Sequence, residues 1–280
     1  VAQTELAIVV VPDGRDGAIA VQEDRLMPPR CDGLDAAERG DLLRRVAVGV
    51  VAQAELAALV AAVRRLSLIT GGPGTGKTTT VAAILSLLID LHTQSSPDRP
   101  LRIALAAPTA KAADRVAESI VEGVENLTLE PNAEEILKSL QSLTIHKLLG
   151  WQPRTPTRFR HNVDNPLPHD VVVIDEASMV DLALMSKLVD AVRPDARLIL
   201  LGDPDQLASV EAGAVLGDLC TGLNLDQPLL SQTFLSELED LGDLSLTPYC
   251  AVHKEPGIWD AIVQLNKTWR FGLDTGIGRL

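Results

Sequence analysis

Residues 71–78 read GGPGTGKT, which satisfies the spacing G-x-x-x-x-G-K-[ST]. That spacing suits one task, wrapping backbone N–H groups around phosphate oxygens. Glycines at the turns keep side chains out of the way, and a helix that follows presents its positive end. The binding set read from it is Gly71, Gly72, Pro73, Gly74, Thr75, Gly76, Lys77, Thr78 and Thr79. Within that set, Lys77 is expected to reach the β- and γ-phosphates of ATP and the Thr78 hydroxyl to ligate Mg2+. A glycine-rich turn with no nucleotide would leave the lysine between Gly76 and Thr78 without a packing reason. Asp175 and Glu176 close the run DVVVIDE. As a pair they can divide hydrolysis between them, Asp175 in the magnesium shell and Glu176 orienting and deprotonating the attacking water. The alternative is a pair of acids capping the next helix. Gln206, in GDPDQL, offers an amide to both the γ-phosphate and that water, or is an ordinary turn residue; Asp203 and Asp205 are expected either to shape the turn through side-chain to backbone bonds or to meet Lys77 or magnesium.

A second group of residues has chemistry suited to a nucleic-acid backbone. Thr109 and Lys111 follow an apolar run and precede a helical pattern, where a hydroxyl and an ammonium either grip a phosphate or simply cap and solvate the helix. Thr144, His146 and Lys147 present the same choice, with His146 equally suited to a scaffold hydrogen bond. Residues 151–162, WQPRTPTRFRHN, contain Arg154, Arg158 and Arg160 interleaved with Trp151 and Phe159 and no acid. Such an island is a candidate contact for single-stranded nucleic acid or a partner, or else a solvated loop.

The elements that must position these groups follow from periodicity. Leu66 to Thr70 is a β-prone run before the phosphate loop, and TTVAAILSLLIDLH after it has the length of a helix. RIALAAP (102–108), DVVVIDE (170–176) and ARLILLGD (196–203) repeat that order, each a short apolar run followed by a motif and then a helix or turn. A mostly parallel α/β sheet covered on both faces is therefore predicted, with its active edge at the strand C-termini. Residues 42–65 predict one or two helices broken near Gly49, and a helix is expected around Glu134 to Leu140. Two short helices are read over Leu229–Leu241 and Ile258–Leu265.

Composition limits the rest. Hydrophobic residues are 46% of the 280 and aromatics 2%, so the core is built of Ala, Val, Leu and Ile, and the chain is not disordered. The net charge, 25 − 38 = −13, argues against a freestanding, charge-driven nucleic-acid binder, though a local groove is compatible with it. Cys31, Cys220 and Cys250 are too scattered for a zinc knuckle and read as reduced thiols. With no basic leader and no long apolar stretch, a cytoplasmic protein without membrane contact is expected.

GGPGTGKTTT, APTAKAADR, TIHKLLG, VVIDEAS, GDPDQLASVEAGAVLGDLC and KTWRFGLDTGIGRL, in this order, closely resemble the RecD (alpha) subunits of exodeoxyribonuclease V, the RecBCD enzyme. The resemblance covers about residues 50–225 and 255–280. It implies a RecA-like P-loop motor domain over 51–225, after an N-terminal segment or domain remnant over 1–50. A helical linker and the start of a truncated second motor region would occupy 226–280. It also implies a superfamily 1, 5′ to 3′ DNA helicase driven by ATP, working on single-stranded and unwinding double-stranded DNA with beta and gamma subunits in double-strand break repair. By the same resemblance, Lys77 and Thr78 are the phosphate-loop pair, Asp175 and Glu176 the magnesium and general-base pair, and Gln206 the γ-phosphate sensor. Arg270, in TWRF, would be the arginine that reaches across the cleft; spacing alone does not reveal that role, and its alternative is a helix-terminal arginine in a salt bridge. Two departures stand out: Ala110 replaces the usual glycine of TAKAADR, and the usual Trp-Gln pair that helps hold adenine is absent, leaving Gln53 as an off-pattern candidate. The competing functions are a stand-alone P-loop ATPase or phosphotransferase, and a nucleotide-binding assembly subunit without motor activity.

Overall fold

Alternation of buried side chains along each strand, one to each face, is what lets short apolar runs in this chain build a sheet covered on both sides. The computed structural model describes residues 6–9, 20–23, 53–125, 127, 129–152, 158–204, 206, 215–221, 227–242 and 250–266. The first two segments, β1 (Leu6–Val9) and β2 (Ala20–Glu23), form an antiparallel pair in which Leu6 faces Glu23.

From residue 53 onward the elements alternate. They run α1 (Gln53–Val63), β3 (Leu66–Gly71), α2 (Lys77–Ser95), β4 (Ile103–Ala107), α3 (Ala110–Glu125), α4 (Pro131–Ser139), β5 (Ser142–Thr144) and α5 (Ile145–Leu148). After them come β6 (Val171–Ile174), a 3-10 turn at Ala177–Met179, α6 (Leu182–Ala191), β7 (Arg197–Gly202) and α7 (Val215–Cys220). The last group is β8 (Leu229–Ser231), α8 (Gln232–Gly242), β9 (Ala251–His253), a 3-10 turn at Ile258–Ala261 and β10 (Ile262–Leu265).

Six strands form one sheet in the order β10-β3-β7-β6-β4-β5, and every neighbouring pair is parallel. This is a RecA-like architecture, with the order leaving and returning across the phosphate-loop strand. Register aligns the strand C-termini: Leu265 lies opposite Gly71, Thr70 opposite Gly202, Ile174 opposite Leu200, and Ala107 opposite Thr144. One face carries Ile69, Leu105, Val171, Val173, Ile199 and Val263 against α1 to α4 and α8; the other carries Leu68, Ala106, Val172, Ile174 and Leu200 against α5 to α7.

Helix α1 is buried all round, from Leu56 through Val63 without a gap, as suits a helix wedged between a sheet and further helices. With so few aromatics, Phe234 on α8 is the largest of the fully buried side chains, and it closes the core over α1.

Three local expectations meet the structure differently. The single helix read over 229–241 begins as a strand, β8, and becomes helical only at Gln232. Residues 258–265 are not a helix; one 3-10 turn gives way to β10, which joins the central sheet beside β3. Short apolar runs have no period long enough to separate helix from strand, and here the partner strand decides. The helix expected around 42–65 is found at Gln53–Val63, and the part before it lies outside the described residues.

The N-terminal rim of the sheet is held by two carboxylates. Asp170, just before β6, accepts hydrogen bonds from the Arg102 backbone and the guanidiniums of Arg99, Arg102 and Arg193. Burial pushes its pKa up, but those bonds overcome it and hold the carboxyl well below the usual carboxylate range. Asp260, fully buried before β10, accepts from Ser231 N at 2.6 Å and Ser231 Oγ at 2.8 Å, with Arg64 Nη2 at 3.5 Å. Arg64 also lies 3.8 Å over the Phe234 ring, and burial lowers its pKa while Asp260 and Glu237 oppose that. Among the described residues Cys220 and Cys250 are free, buried thiols, and no helix is long and apolar enough to cross a membrane.

Candidate nucleotide site

The phosphate loop begins where β3 ends. Gly71, Gly74 and Gly76 adopt φ of +158°, +81° and +85°, which L side chains rarely tolerate, so the glycines of the motif are demanded by the backbone. At Gly71 crowding adds to this, since a Cβ would come within 2.7 Å of both Leu265 O and Thr75 Oγ1. At Gly72, by contrast, a Cβ would meet nothing within 4 Å, so the space beside the loop is open there. Thr75 Oγ1 donates to Gly72 O at 2.9 Å and holds the turn.

Helix α2 starts at Lys77 with Gly76 as its cap, and no side chain satisfies the first-turn N–H groups. A 19-residue helix presenting unsatisfied N–H groups to an open loop is suited to anionic oxygens. Lys77 Nζ donates to Gly71 O at 2.6 Å and Gly72 O at 3.0 Å, so the ammonium lies folded back along the loop. Thr78 is half-buried beside it, and Thr79 and Pro73 are exposed.

Asp175 and Glu176 arrive from the end of β6, which β7 separates from the phosphate-loop strand. Asp175 N donates to Ala106 O at 2.9 Å, which fixes the exit of β6 against β4. Glu176 has φ +53°, the one positive φ on a non-glycine among the described residues. A left-handed glutamate costs of order 1 kcal/mol and persists only where the surroundings over-determine it, a pattern concentrated at functional sites. Burial raises the Asp175 pKa, opposed by the Glu176 backbone and the Lys77 charge. Burial also raises that of Glu176, with Asp175 and Asp203 adding to it and Lys77 and Arg115 opposing. Register sets the ends of β3, β7 and β6 side by side, so Lys77, Asp175, Glu176 and Asp203 share the C-terminal edge of the sheet, near enough for their charges to act on one another.

Gly202 brings the third strand end in. A Cβ there would lie 2.5 Å from Leu216 Cδ2 and 3.1 Å from Ser178 N, so β7 packs directly under the turn that follows Glu176. Asp203 is buried, and its carbonyl accepts from Gln206 N at 3.2 Å; Gln206 itself is exposed. Asp205 and Arg270 lie outside the described residues.

Residues 54–212 match the model of a protein family described as AAA domain. The chain belongs to this AAA domain family. The chain is 54% identical over 167 residues to the RecBCD enzyme subunit RecD of Mycolicibacterium smegmatis, covering 60% of this chain and 30% of that protein. Against the RecD subunit of Haemophilus influenzae it is 43% identical over 217 residues, 76% of this chain and 32% of the relative. Against the ATP-dependent RecD2 DNA helicase of Deinococcus radiodurans it is 40% identical over 152 residues, 54% of this chain and 17% of the relative. The chain thus spans about a third or less of the length of these curated relatives. Their likeness bears out the RecD-type resemblance of the motifs, and the AAA domain makes nucleotide binding a property of the fold.

The remaining rim of the AAA domain carries the second group of candidates. Thr109 Oγ1 accepts from Ala112 N at 3.2 Å, and Thr144 Oγ1 accepts from Lys147 N at 3.3 Å. Both threonines are therefore helix caps, at the ends of adjacent strands, so capping and presentation to the rim are combined. Lys111, His146, Lys147, Arg158 and Arg160 are exposed. The His146 ring lies 5.7 Å from that of Phe159, and Trp151, 44% exposed, bridges Phe159 across a short antiparallel contact. Arg154 lies outside the described residues.

Several residues near the site escape motif reading. Thr70 Oγ1, Ser178 Oγ and Gln264 Oε1 are buried without hydrogen-bond partners at the level of the phosphate loop. Thr70 and Gln264 are register neighbours on β3 and β10, which nothing in sequence spacing could reveal. Gln53, at the start of α1, accepts from Asn266 N at 2.6 Å, and that bond too becomes visible only once β10 is placed.

Proposed function

We propose that this chain carries the first motor domain of a superfamily 1 DNA helicase of the RecD type, moving 5′ to 3′ on single-stranded DNA at the expense of ATP. The observation that carries the proposal is the alignment of strand C-termini that sets the phosphate loop, Asp175, Glu176 and Asp203 on the same edge as Thr109 and Thr144. A nucleotide site and a backbone-phosphate track sharing one edge is what coupling of hydrolysis to movement requires.

In this reading residues 71–79 bind the triphosphate, and Lys77 exchanges the carbonyls of Gly71 and Gly72 for the β- and γ-phosphates. Thr78 and Asp175 would hold Mg2+ with the phosphate oxygens, a small protein share that suits this ion, and it would neutralise charge building on the γ-phosphoryl group. Glu176 accepts the proton of the attacking water, Gln206 orients that water from the turn after β7, and Arg270 completes the cleft. Thr109, Lys111, Thr144, His146, Arg154, Arg158 and Arg160 contact the DNA strand. Modest local contacts are consistent with an acidic chain that works in the cytoplasm beside beta and gamma subunits in double-strand break repair, since partners then supply much of the attraction for DNA.

The test is ATP turnover with and without single-stranded DNA, for this chain and for a polypeptide extended to the length of its relatives. DNA-stimulated turnover by the extended form supports the proposal. ATP binding with no DNA-stimulated turnover, even with beta and gamma subunits present, would instead make this a nucleotide-binding assembly subunit.

A further inference from the structure

Glu176 is held in a conformation it would not adopt by itself. Its φ and ψ are +53° and +40°, left-handed for a residue with a Cβ, so the segments on either side must impose it. Upstream, the fastening is the hydrogen bond from Asp175 N to Ala106 O at 2.9 Å. Downstream, the chain closes a 3-10 turn in which Met179 N donates to Glu176 O at 3.0 Å and Val180 N to Ala177 O at 3.2 Å. That turn is buried at Ala177 and Ser178, and it rests on Gly202. A Cβ at Gly202 would lie 3.5 Å from Ala177 N and 3.1 Å from Ser178 N, the two backbone nitrogens that follow Glu176. Conformation does not explain the glycine, because its φ, unlike those of Gly74 and Gly76, is not positive. What position 202 requires is room. A further contact there is of a different kind: Leu216 Cδ2, the end of a side chain on α7, would lie 2.5 Å from the same Cβ. A side-chain end can be cut back by substitution and a backbone nitrogen cannot, so the two demands for room are separable.

We propose that Gly202 is a positioning residue for Glu176: the bare backbone at the end of β7 lets the turn of Ala177 and Ser178 settle on the sheet, and so fixes where the Glu176 carboxylate stands at the nucleotide edge. The inference rests on the reading of Glu176 as the general base. None of the three atoms nearest a methyl at 202 belongs to the phosphate loop, so nucleotide binding is spared. The turn, by contrast, would have to give by a few tenths of an ångström. Misplacing a reacting group by about 1 Å can cost about 100-fold in rate, so a shift of this size should cost about fivefold.

The experiment is single-turnover hydrolysis of ATP with saturating single-stranded DNA, beside nucleotide titration and thermal melting, in the polypeptide extended to the length of its relatives. Gly202→Ala should slow hydrolysis about fivefold while ATP affinity stays within about twofold. Leu216→Ala, which only empties core beside the turn, should hydrolyse ATP at the wild-type rate. Gly202→Ala combined with Leu216→Ala should be less destabilised than the sum of the single variants, because the 2.5 Å overlap is gone. It should nevertheless stay about fivefold slow, because the 3.1 Å approach to Ser178 N remains. In a Glu176→Gln background, Gly202→Ala should add no further loss. A wild-type rate in Gly202→Ala, or its recovery in the double variant, would overturn the inference and leave Leu216 as all that the glycine accommodates. An equal loss in Leu216→Ala would overturn it by tracing the effect to core packing, and a further fivefold loss in the Glu176→Gln background by showing that it bypasses the carboxylate. Failure of both Gly202 variants to fold would overturn it as well, since the backbone contact alone asks for only a small shift. Wild-type hydrolysis in Glu176→Gln itself would instead remove the general-base reading, and the inference with it.

Discussion

Replacing Asp260 by Asn tests whether the segment after residue 226 is fastened to the sheet as the structure describes. The substitution keeps the shape and one acceptor oxygen, which can still receive Ser231 N, but it removes the charge opposite Arg64. Breaking one partner of a buried ion pair typically costs about 3–5 kcal/mol. Here the guanidinium is 3.5 Å away and retains the Phe234 ring at 3.8 Å, a contact worth about 1–2 kcal/mol when desolvated. The expected loss is therefore about 2–3 kcal/mol, a large part of the roughly 5–15 kcal/mol that a domain possesses. With a urea m-value of about 2–3 kcal/mol/M, the unfolding midpoint should fall by about 1 M. Arg64→Met combined with Asp260→Asn should be less destabilised than the sum of the single variants by at least about 1 kcal/mol, because each single change strands the other partner. An Asp260→Asn midpoint within 0.2 M of wild type (a cut-off set at about a fifth of the predicted shift) would refute the clamp.

Three further outcomes follow from the same geometry. Glu176→Gln should bind ATP about as well as wild type yet turn it over at least roughly 100-fold more slowly, and equal loss in a binding titration and a turnover assay would remove the general-base role. Gly71→Ala should abolish nucleotide binding, because the new methyl meets Leu265 O and Thr75 Oγ1; retention of affinity within threefold, read by fluorescent-nucleotide titration, would show that the loop is not so confined. For Asp170 the folded pKa lies below the unfolded one, so its stabilisation is complete above about pH 4 and is lost as pH falls through the folded value. Asp170→Asn should thus cost roughly 1 kcal/mol at neutral pH, discounted for the half-exposed arginines, and the gap to wild type should narrow below about pH 4; a gap that widens there contradicts the arginine hub.

The parts of this fold that sequence reading reached are those where a local rule dominates. GGPGTGKT predicts its own backbone, because positive φ at Gly74 and Gly76 leaves few other residues possible. VVVI and LILL announce buried parallel strands because both neighbours of each residue are apolar. Residues 258–265 obey no such rule: Ile262 to Leu265 is too short to show a period, and its strand character comes from β3, nearly two hundred residues earlier. The candidate site divides in the same way. Lys77, Asp175 and Glu176 are legible as motifs, whereas the Gln53–Asn266 bond and the buried hydroxyls of Thr70 and Ser178 depend on elements meeting in space. Glu176 in a left-handed conformation is a third kind of fact, strain that no propensity anticipates for that residue type.

The two rims of the sheet carry different kinds of polar group, and this gives the molecule separable phenotypes. At the N-terminal rim, Asp170 and Asp260 gather arginines from distant segments into ion pairs that form without any ligand. At the opposite rim α2 starts without a side-chain cap, the hydroxyls of Thr70 and Ser178 have no hydrogen-bond partner, and Lys77 Nζ is bonded to carbonyls of its own loop. In a mutational scan scored for both abundance and DNA-dependent growth, damaging changes along one edge should deplete the protein itself. Those along the other should leave it plentiful and inert, so that the position of a variant along its strand, more than its burial, would tell a geneticist which kind of defect to look for.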